Sequence, residues 1–281
     1  MAACKITILT DNLPCTSHPA LLCEHGLSML VEVGEWRMLC DMGASSAYAV
    51  NAAQLDIDLQ GVDAAFLSHA HNDHTGGLRH FLDTFPDIPV CLSASAKGLQ
   101  CYSSRREMLR DISIDNELLT SYPERFRWIA DSCWIHPSVA LVKSCSGAYP
   151  LPHGNRFLTA QRGVQCGLDD FAHELSVAIT TTQGLVVLSS CSHRGALNII
   201  QDCIRFTGEA RLRCFVGGLH LVDMPGVEEE AQQLAIEFAR LYPQAEIHTG
   251  HCTCDKAKET LLAYLSNARI FTTGTVIEIA D

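Results

Sequence analysis

The feature that most constrains this chain is a short run of metal-ligating side chains within residues 66–78. The four candidate ligands are His69, His71, Asp73 and His74. An apolar run precedes them and Gly76-Gly77 follows, which predicts a buried strand, a turn that carries the ligands, and then a helix. On an extended chain His69 and His71 point to the same side. After the chain turns, Asp73 and His74 can face a second position next to the first. We therefore expect one segment to serve two adjacent metal ions, with zinc favoured and iron or manganese as alternatives.

Length and charge limit the classes of protein that fit. The chain has 281 residues, 47% of them hydrophobic, which is enough for one large domain with a substantial core. We interpret residues 1–281 as a single domain. The net charge of -12 argues against a broad nucleic-acid-binding surface, although it leaves room for a local basic pocket.

The fourteen cysteines are scattered, with none of the regular spacing of a disulfide framework. Lys5 and Thr7 interrupt the opening residues, so no signal-peptide pattern is present, and no apolar run is long enough to span a membrane. We expect a soluble cytoplasmic protein with reduced thiols, most of which pack in the core.

Apolar periodicity predicts alternating strands and helices along most of the chain. Strands are predicted at 4–9, 27–33, 36–40, 89–92, 174–179 and 184–188, with one closing strand at about 270–279. Residues 93–165 are the least regular part. We expect them to hold a substrate-facing insertion, because loops on a rigid scaffold commonly carry specificity, with ordinary packing between strands as the alternative.

One arrangement recurs four times: a short apolar strand leads to histidine, and a helix follows. It occurs at 69–74, at His193, at His220 and at His251. Strand ends on one edge of an α/β structure converge, and crevices there bind ligands. The four segments can therefore bring six histidines and Asp73 to one place, which is the ligand supply of a two-metal site.

The segment His-Ala-His-Asn-Asp-His (69–74) resembles the signature of the metallo-β-lactamase superfamily. The likeness is greatest to one branch, the proteins similar to the methanopterin-pathway dihydropteroate-type synthase. Further matching stretches are 10–12, 24–28, 39–43, 67–78, 169–170, 174–175, 184–198, 217–221 and 251–253. The resemblance implies an αββα sandwich of two mixed sheets, with helices outside and two metal ions at one edge.

The same resemblance implies roles for individual residues. His69, His71 and His193 would bind the first metal ion, and Asp73, His74 and His251 the second. Asp41 would support these ligands by hydrogen bonds. Many relatives place an aspartate between the metals where this chain has His220, so His220 is expected either to bind a metal ion or to sit over the site and contact the substrate. Asp73 and His220 are the candidate catalytic residues.

Two kinds of chemistry remain open on this site. The first is hydrolysis of a small anionic metabolite by a metal-bound hydroxide. The second is the transferase reaction that the synthase branch implies, in which a pterin diphosphate and an arylamine are joined. A di-iron redox protein and a non-catalytic binding protein are weaker alternatives, because bridging carboxylates are scarce and the ligand set is complete. The oligomeric state stays open.

Substrate contacts are predicted from the basic and amide side chains near the ligands. Arg194 is the best placed, and Asn12 lies in a matched stretch. Weaker candidates are Lys143, Arg105, Arg106 and Arg156. Cys191 and Cys252 are each within two residues of a predicted ligand. We interpret both as buried packing residues, with a nucleophilic or metal-binding thiol as the alternative.

Overall fold

The computed structural model describes residues 3–105 and 108–280. Its strands are β1 Cys4–Thr10, β2 Ser28–Val33, β3 Trp36–Cys40, β4 Ala64–Phe66, β5 Val90–Ser93, β6 Leu99–Ser103, β7 Arg110–Asp111, β8 Phe126–Ile129, β9 Cys133–His136, β10 Val139–Lys143, β11 Leu158–Arg162, β12 Gln165–Leu168, β13 Leu175–Thr181, β14 Gly184–Ser189, β15 Leu212–Gly217, β16 Glu246–Thr249, β17 Ala268–Ile270 and β18 Val276–Ile279. Its α-helices are α1 Ala47–Gln54, α2 Asn72–Thr75, α3 Leu78–Thr84, α4 Asn116–Ser121, α5 Ala196–Thr207, α6 Val227–Leu241 and α7 Asp255–Tyr264. Short 3-10 helices cover Leu59–Gly61, Ala94–Ala96, Pro123–Arg125 and His153–Phe157.

The first sheet has seven strands in the order β18-β1-β2-β3-β4-β5-β8. The hairpin predicted around Gly34 joins β2 to β3, and Val33 pairs with Trp36. From β3 onward the strands run parallel, so β4 lies between two parallel neighbours. All three residues of β4 are buried. The chain therefore leaves this strand at the carboxyl edge of the sheet, directly before the ligand segment.

The second sheet also has seven strands, in the order β17-β16-β15-β14-β13-β10-β9. Its strands β14, β15, β16 and β17 are parallel to one another. They alternate with helices α5, α6 and α7, as the repeated strand-then-helix pattern predicts. Because the carboxyl ends of parallel strands meet at one edge, the segments that follow β14, β15 and β16 lie side by side.

Three hydrophobic cores define four layers. One core lies between the two large sheets and includes Ile6, Phe66 and Val177. Another packs α1 and α3 on the outer face of the first sheet. The last packs α5, α6 and α7 on the outer face of the second sheet. The predicted αββα sandwich of two mixed sheets is confirmed.

A third, four-stranded sheet with the order β12-β11-β6-β7 was not predicted. It is built from residues 99–103, 110–111, 158–162 and 165–168, and most of these lie in the stretch 93–165 that the sequence pattern left irregular. Its strands are short, and β12 is exposed along its whole length, so the alternation that marks a half-buried strand is missing. The expectation that 93–165 forms an insertion facing the substrate stays a prediction.

The single closing strand predicted at about 270–279 is wrong. The structure has two strands there, and they belong to different sheets: β17 is an edge strand of the second and β18 of the first. Gly274 turns the chain between them with a φ of 83°. Because residues 270–279 have a composition typical of strands throughout, the sequence did not indicate that the chain passes here from the second sheet to the first.

The longest described helix, α6, has 15 residues, and no helix in the described ranges has the length and apolar character that a membrane crossing requires. All fourteen cysteines are free thiols, and more than half of them are buried, as expected.

Candidate metal centre

The ligand segment turns sharply as it leaves the first sheet. After β4, His69 and His71 lie on extended chain, and α2 begins at Asn72 and carries Asp73 and His74 on a single helical turn. The turn fits tightly against residues 42–45. A Cβ atom at Gly76 would lie 2.2 Å from the carbonyl oxygen of Ala44, so only glycine allows this approach.

The first group of ligands consists of His69, His71 and His193. The Nε2 atoms of His69 and His193 are 3.4 Å apart. The ring centroid of His71 lies 4.5 Å from that of His69 and 5.0 Å from that of His193. Two nitrogens bound to one tetrahedral zinc ion lie roughly 3.3 Å apart, given Zn–N bonds of about 2.0–2.1 Å. The spacing of this buried group therefore fits a shared ion.

The second group consists of Asp73, His74 and His251. The Nε2 atoms of His74 and His251 are 3.0 Å apart. Oδ2 of Asp73 lies 3.8 Å from Nε2 of His74 and 3.6 Å from Nε2 of His251. These three atoms converge on a point beside the first group. Residues from both sheets are needed to form it.

The ligands from the second sheet sit in strained backbone at the strand ends. His220 and His251 both have a φ of 49°, and Ser192, next to His193, has a φ of 60°. Residues other than glycine rarely adopt the left-handed region, and such residues concentrate at functional sites. The parallel strands place all three segments at the same edge.

Asp41 lies beneath the second group. Its Oδ2 is 2.8 Å from Nδ1 of His74, and it also accepts hydrogen bonds from the backbone N–H and the hydroxyl of Ser68. The Ser68 hydroxyl lies 2.8 Å from Nδ1 of His69. One buried carboxylate thus orients a histidine of each group, which leaves both Nε2 atoms free to face the metal positions.

Asp169 hydrogen-bonds His173 and lies near His71, and sequence reasoning assigned it no role. Its Oδ2 lies 3.9 Å from Nε2 of His71 and 3.1 Å from Nε2 of His173. His173 in turn accepts the backbone N–H of Ala70 through Nδ1. The signal was the presence of Asp169 in one of the matched stretches, but neither its spacing nor its neighbours indicated which ligand it would reach.

His193 is positioned by three further residues that the sequence did not identify. The Glu174 carboxylate accepts the backbone N–H groups of His193 and Arg194, both at 2.8 Å. Asn155 donates to the His193 carbonyl oxygen at 2.8 Å. The Phe171 ring stacks on the imidazole, with centroids 4.5 Å apart and planes 4° from parallel. Because Asn155 lies in a loop far away in sequence, no local pattern could have revealed it.

Asn12 hydrogen-bonds His251, one of the predicted metal ligands. Its Oδ1 lies 3.1 Å from Nδ1 of His251, and its Nδ2 donates to the carbonyl oxygen of His251 at 3.0 Å. Asp11 accepts the backbone N–H of His251 at 2.8 Å. The two adjacent residues therefore fix both the backbone and the ring of His251. The predicted substrate contact of Asn12 stays a prediction.

Burial keeps most of the histidines neutral. It lowers the pKa values of His69, His193 and His251 well below the usual range, and the neighbouring imidazoles add to the effect. Burial also lowers the pKa of His74, but the charges of Asp73 and Asp41 outweigh it and raise that pKa to about 9. Neutral imidazole is the form that binds metal, so most of the ligands are ready to do so at neutral pH.

His220 lies against the first group. Its ring centroid is 4.3 Å from that of His193, and its buried Nδ1 has no hydrogen-bond partner. Burial lowers the pKa of His220 to about 3, so the ring is neutral at pH 7. His220 is absent from the groups of described side chains whose ligand atoms lie within 4.8 Å of one another. It faces the site with a free nitrogen but lies outside those groups.

Two cavities open onto the ligand groups. One of about 160 Å³ is lined by Asp73, His193 and His220, and another of about 660 Å³ by Asn12 and His251. Arg105 and Arg110 line both, and Lys256 and Lys258 line the larger one. The two lysines pair with Asp223 and Asp255, which line the same cavity, so the two arginines are the cationic groups common to both cavities.

The other basic candidates differ in position. Arg194 does not line either cavity; its Nη1 donates to the carbonyl oxygen of Asp170 at 3.0 Å, while its Nε is buried without a partner. Its predicted contact with substrate stays a prediction. Arg106 lies outside the described residues. His25, which lies in the matched stretch 24–28, lines both cavities, and its Nε2 lies 3.5 Å from Oδ2 of Asp73.

Comparisons with known proteins agree with this geometry. A family model described as "Metallo-beta-lactamase superfamily" matches residues 22–97, which include the ligand segment. The solved structure of Tm1679, titled a metal-dependent hydrolase of the β-lactamase superfamily, matches with a TM-score of 0.83 and 27% identity, and covers 99% of this chain and 100% of that one. The ligand segment therefore matches the metallo-β-lactamase superfamily, and the chain shares the fold of its members.

Two proteins of Methanocaldococcus jannaschii are similar over most of their length. One is named 7,8-dihydropterin-6-methyl-4-(beta-D-ribofuranosyl)-aminobenzene-5'-phosphate synthase; it is 27% identical over 262 residues, which are 85% of this chain and 84% of the relative. The other is the uncharacterised protein MJ0448, 25% identical over 98% of this chain and 100% of the relative. The expected likeness to the synthase branch is confirmed.

Proposed function

We propose that this protein is a metal-dependent hydrolase that uses two divalent ions, with zinc favoured, on a small anionic metabolite. One observation carries the proposal: in two adjacent buried groups the facing Nε2 atoms lie 3.4 Å and 3.0 Å apart, the spacing of nitrogens that share one ion. The match to the superfamily supports it independently.

The ligand assignment follows from the atoms that face each other. We assign His69, His71 and His193 to the first ion and Asp73, His74 and His251 to the second. Nε2 of His71 faces Asp169, so its Nδ1 is the nitrogen left for metal. Ions held there would supply a water of lowered pKa and would polarise the bond to be cleaved.

The residues around the ions have separate tasks. Asp73 would hold one ion and help to orient the nucleophile. His220, neutral because burial lowers its pKa to about 3, offers a hydrogen bond to the substrate rather than a labile proton. Arg105 and Arg110 attract and align the anionic group at the mouth. The third sheet carries Arg110, and Arg105 follows its strand β6, which supports a substrate-facing role for the segment 93–165.

The transferase reaction is the second candidate. The similarity to the M. jannaschii synthase over 85% of this chain favours it. The same two ions and the same arginines could hold a diphosphate leaving group while an arylamine attacks. The two candidates share the metal site and differ in whether water or an amine is the nucleophile.

We further propose a cytoplasmic location. The fourteen free thiols support it, because reduced cysteines persist in reducing compartments.

The test begins with metal analysis of the purified protein. It continues with a panel of phosphodiesters, lactones, thioesters and pterin diphosphates, the last assayed with and without an arylamine. We expect about two divalent ions per chain and turnover of an anionic ester. His69→Ala should lose bound metal and should lose turnover. Turnover of a pterin diphosphate that requires the amine would favour the transferase. Redox-active iron without turnover would instead indicate a redox protein.

The arginines give a second test with a matched control. Arg105→Ala and Arg110→Ala should each raise KM for the anionic substrate by about tenfold, the value of one charge-assisted hydrogen bond. Arg79→Ala, whose side chain pairs with Asp115 on the surface, should leave KM unchanged. An unchanged KM in both cavity variants would contradict the proposed substrate class.

A further inference from the structure

Cys191 lies at the centre of the site, although packing in the core was the favoured expectation for its thiol and metal binding the alternative. It follows β14 by two residues and is 3% exposed. The loop that holds it is fixed by Ser192, whose hydroxyl donates to the Gly218 carbonyl oxygen at 2.7 Å. The thiol therefore has one defined position, and that position faces the histidines.

The distances place Cys191 in both ligand groups. Its Sγ is 3.2 Å from Nε2 of His74. The ligand atoms of Cys191, His74 and His251 lie within 4.8 Å of one another, and so do those of Cys191, His69 and His193. In these groups of described residues, Cys191 is the member common to the two histidine pairs. A single sulfur atom is thus within reach of both proposed ions.

The chemistry fits a thiolate ligand. With Zn–S of about 2.3 Å and Zn–N of about 2.0 Å, sulfur and nitrogen on one tetrahedral ion lie roughly 3.6 Å apart. The observed distance of 3.2 Å between Sγ of Cys191 and Nε2 of His74 is close to that separation. His220 offers a buried nitrogen without a partner but lies outside both groups. Asp73 is the other side chain that reaches both positions: its ligand atom lies within 4.8 Å of those of His69 and His71, and its Oδ2 is 3.8 Å from Nε2 of His74. The thiol therefore shares the space between the two proposed ions with one carboxylate.

We propose that Cys191 supplies a thiolate ligand shared by the two metal ions, beside the Asp73 carboxylate. This rests on the two-metal site of the proposed function and deepens it. Binding the ions would displace the thiol proton to solvent, and the S–H contact with His74 would be replaced by bonds from sulfur to metal. Soft sulfur would favour zinc over manganese, because thiolate is a poor ligand for harder ions.

Cys252 provides an internal control. It lies in the same cavity, and its Sγ accepts the backbone N–H of His220 at 3.2 Å. It belongs to neither ligand group. A thiol in the same surroundings should therefore leave the metal spectrum unaffected.

The experiment is cobalt substitution of the full chain, followed by absorption spectroscopy. Visible d–d bands report that Co²⁺ is bound, and an intense near-ultraviolet band reports charge transfer from thiolate to cobalt. We expect both in the parent protein. Cys191→Ser and Cys191→Asp should keep the visible bands and lose the charge-transfer band, whereas Cys252→Ser should keep both.

The outcomes separate the two proposals. Visible bands without a charge-transfer band in the parent protein would overturn the thiolate assignment and leave the metal site standing. A charge-transfer band that survives in Cys191→Asp would also overturn it. Absence of all cobalt bands would instead contradict the proposed function. The parent spectrum decides the matter even if a variant fails to fold.

Discussion

Oδ2 of Asp41 lies 2.8 Å from Nδ1 of His74, and both side chains are fully buried. The pair joins the end of β3 to the ligand turn after β4, so the first sheet itself orients a ligand. The same carboxylate bonds Ser68, which contacts His69. One residue outside the ligand set thus controls the direction of a histidine in each group.

Asp41→Ala should therefore weaken metal binding. We expect about a 10- to 100-fold loss of affinity, the usual effect of removing a carboxylate behind a metal-binding histidine. The measurement is a competitive chelator titration of metal-free protein. Asp87→Ala, at an exposed position, is the control and should bind as the parent does. Equal affinities in the two variants would contradict the role of Asp41.

Asn12 is predicted to position His251. Asn12→Ala removes both contacts to that histidine, so it should raise the metal dissociation constant in the absence of any substrate. We expect about a tenfold effect, comparable to the loss of one or two buried hydrogen bonds. If Asn12 serves only the substrate, the metal titration will be unchanged and KM alone will rise.

Phe171 supports His193 through its stacked ring. Phe171→Ala should lower the free energy of unfolding by about 3–5 kcal/mol, as measured by urea denaturation, and should also weaken metal binding. Phe81→Ala is the matched control, because Phe81 is equally buried but lies on α3, in the core on the outer face of the first sheet. The Phe81→Ala variant should lose a similar free energy of unfolding, but its folded form should bind metal as tightly as the parent does. Identical metal affinities in both variants would show that the stack has no positioning role.

Cys15 should be the most pH-responsive thiol near neutrality. The hydrogen bond between Ser17 and the Cys15 thiol, at 3.2 Å, is the main cause that lowers the pKa of Cys15. Burial raises that pKa and a hydrogen bond with His18 lowers it, so that the pKa is about 7. The thiolate therefore accumulates as pH rises through about 7, and alkylation of Cys15 should level off above about pH 8. Peptide mass spectrometry after timed iodoacetamide treatment measures this.

Ser17→Ala tests the cause of that shift. Without the hydroxyl, the midpoint for alkylation of Cys15 should move upward, towards the ordinary thiol range. The low exposure of Cys15, 8%, slows the reaction but does not alter its midpoint. A midpoint that stays the same in the variant would mean that Ser17 does not stabilise the thiolate.

Much of this protein could be predicted from sequence because its signals are local. Strands such as β14 are continuous apolar runs, and each is followed by a histidine at the point where the chain must turn. His69, His71, Asp73 and His74 lie within one short segment, so their spacing alone indicates a metal site. The α/β layering follows from the alternation of strands and helices, and it placed the later histidines at one edge.

The tertiary structure decided the contacts between residues that are far apart in the sequence, which local patterns cannot predict. Asp169 and Asn155 reach their histidines across 98 and 38 residues, and the chain folds them there through loops without periodicity. The closing segment divides between two sheets because a single glycine turns it. Cys191 has an ordinary sequence setting, and its position between two histidine pairs exists only once both sheets are packed. Sequence determined which ligands are available and where strands end; packing of the two sheets determined which atoms face one another, because side-chain direction depends on long-range contacts.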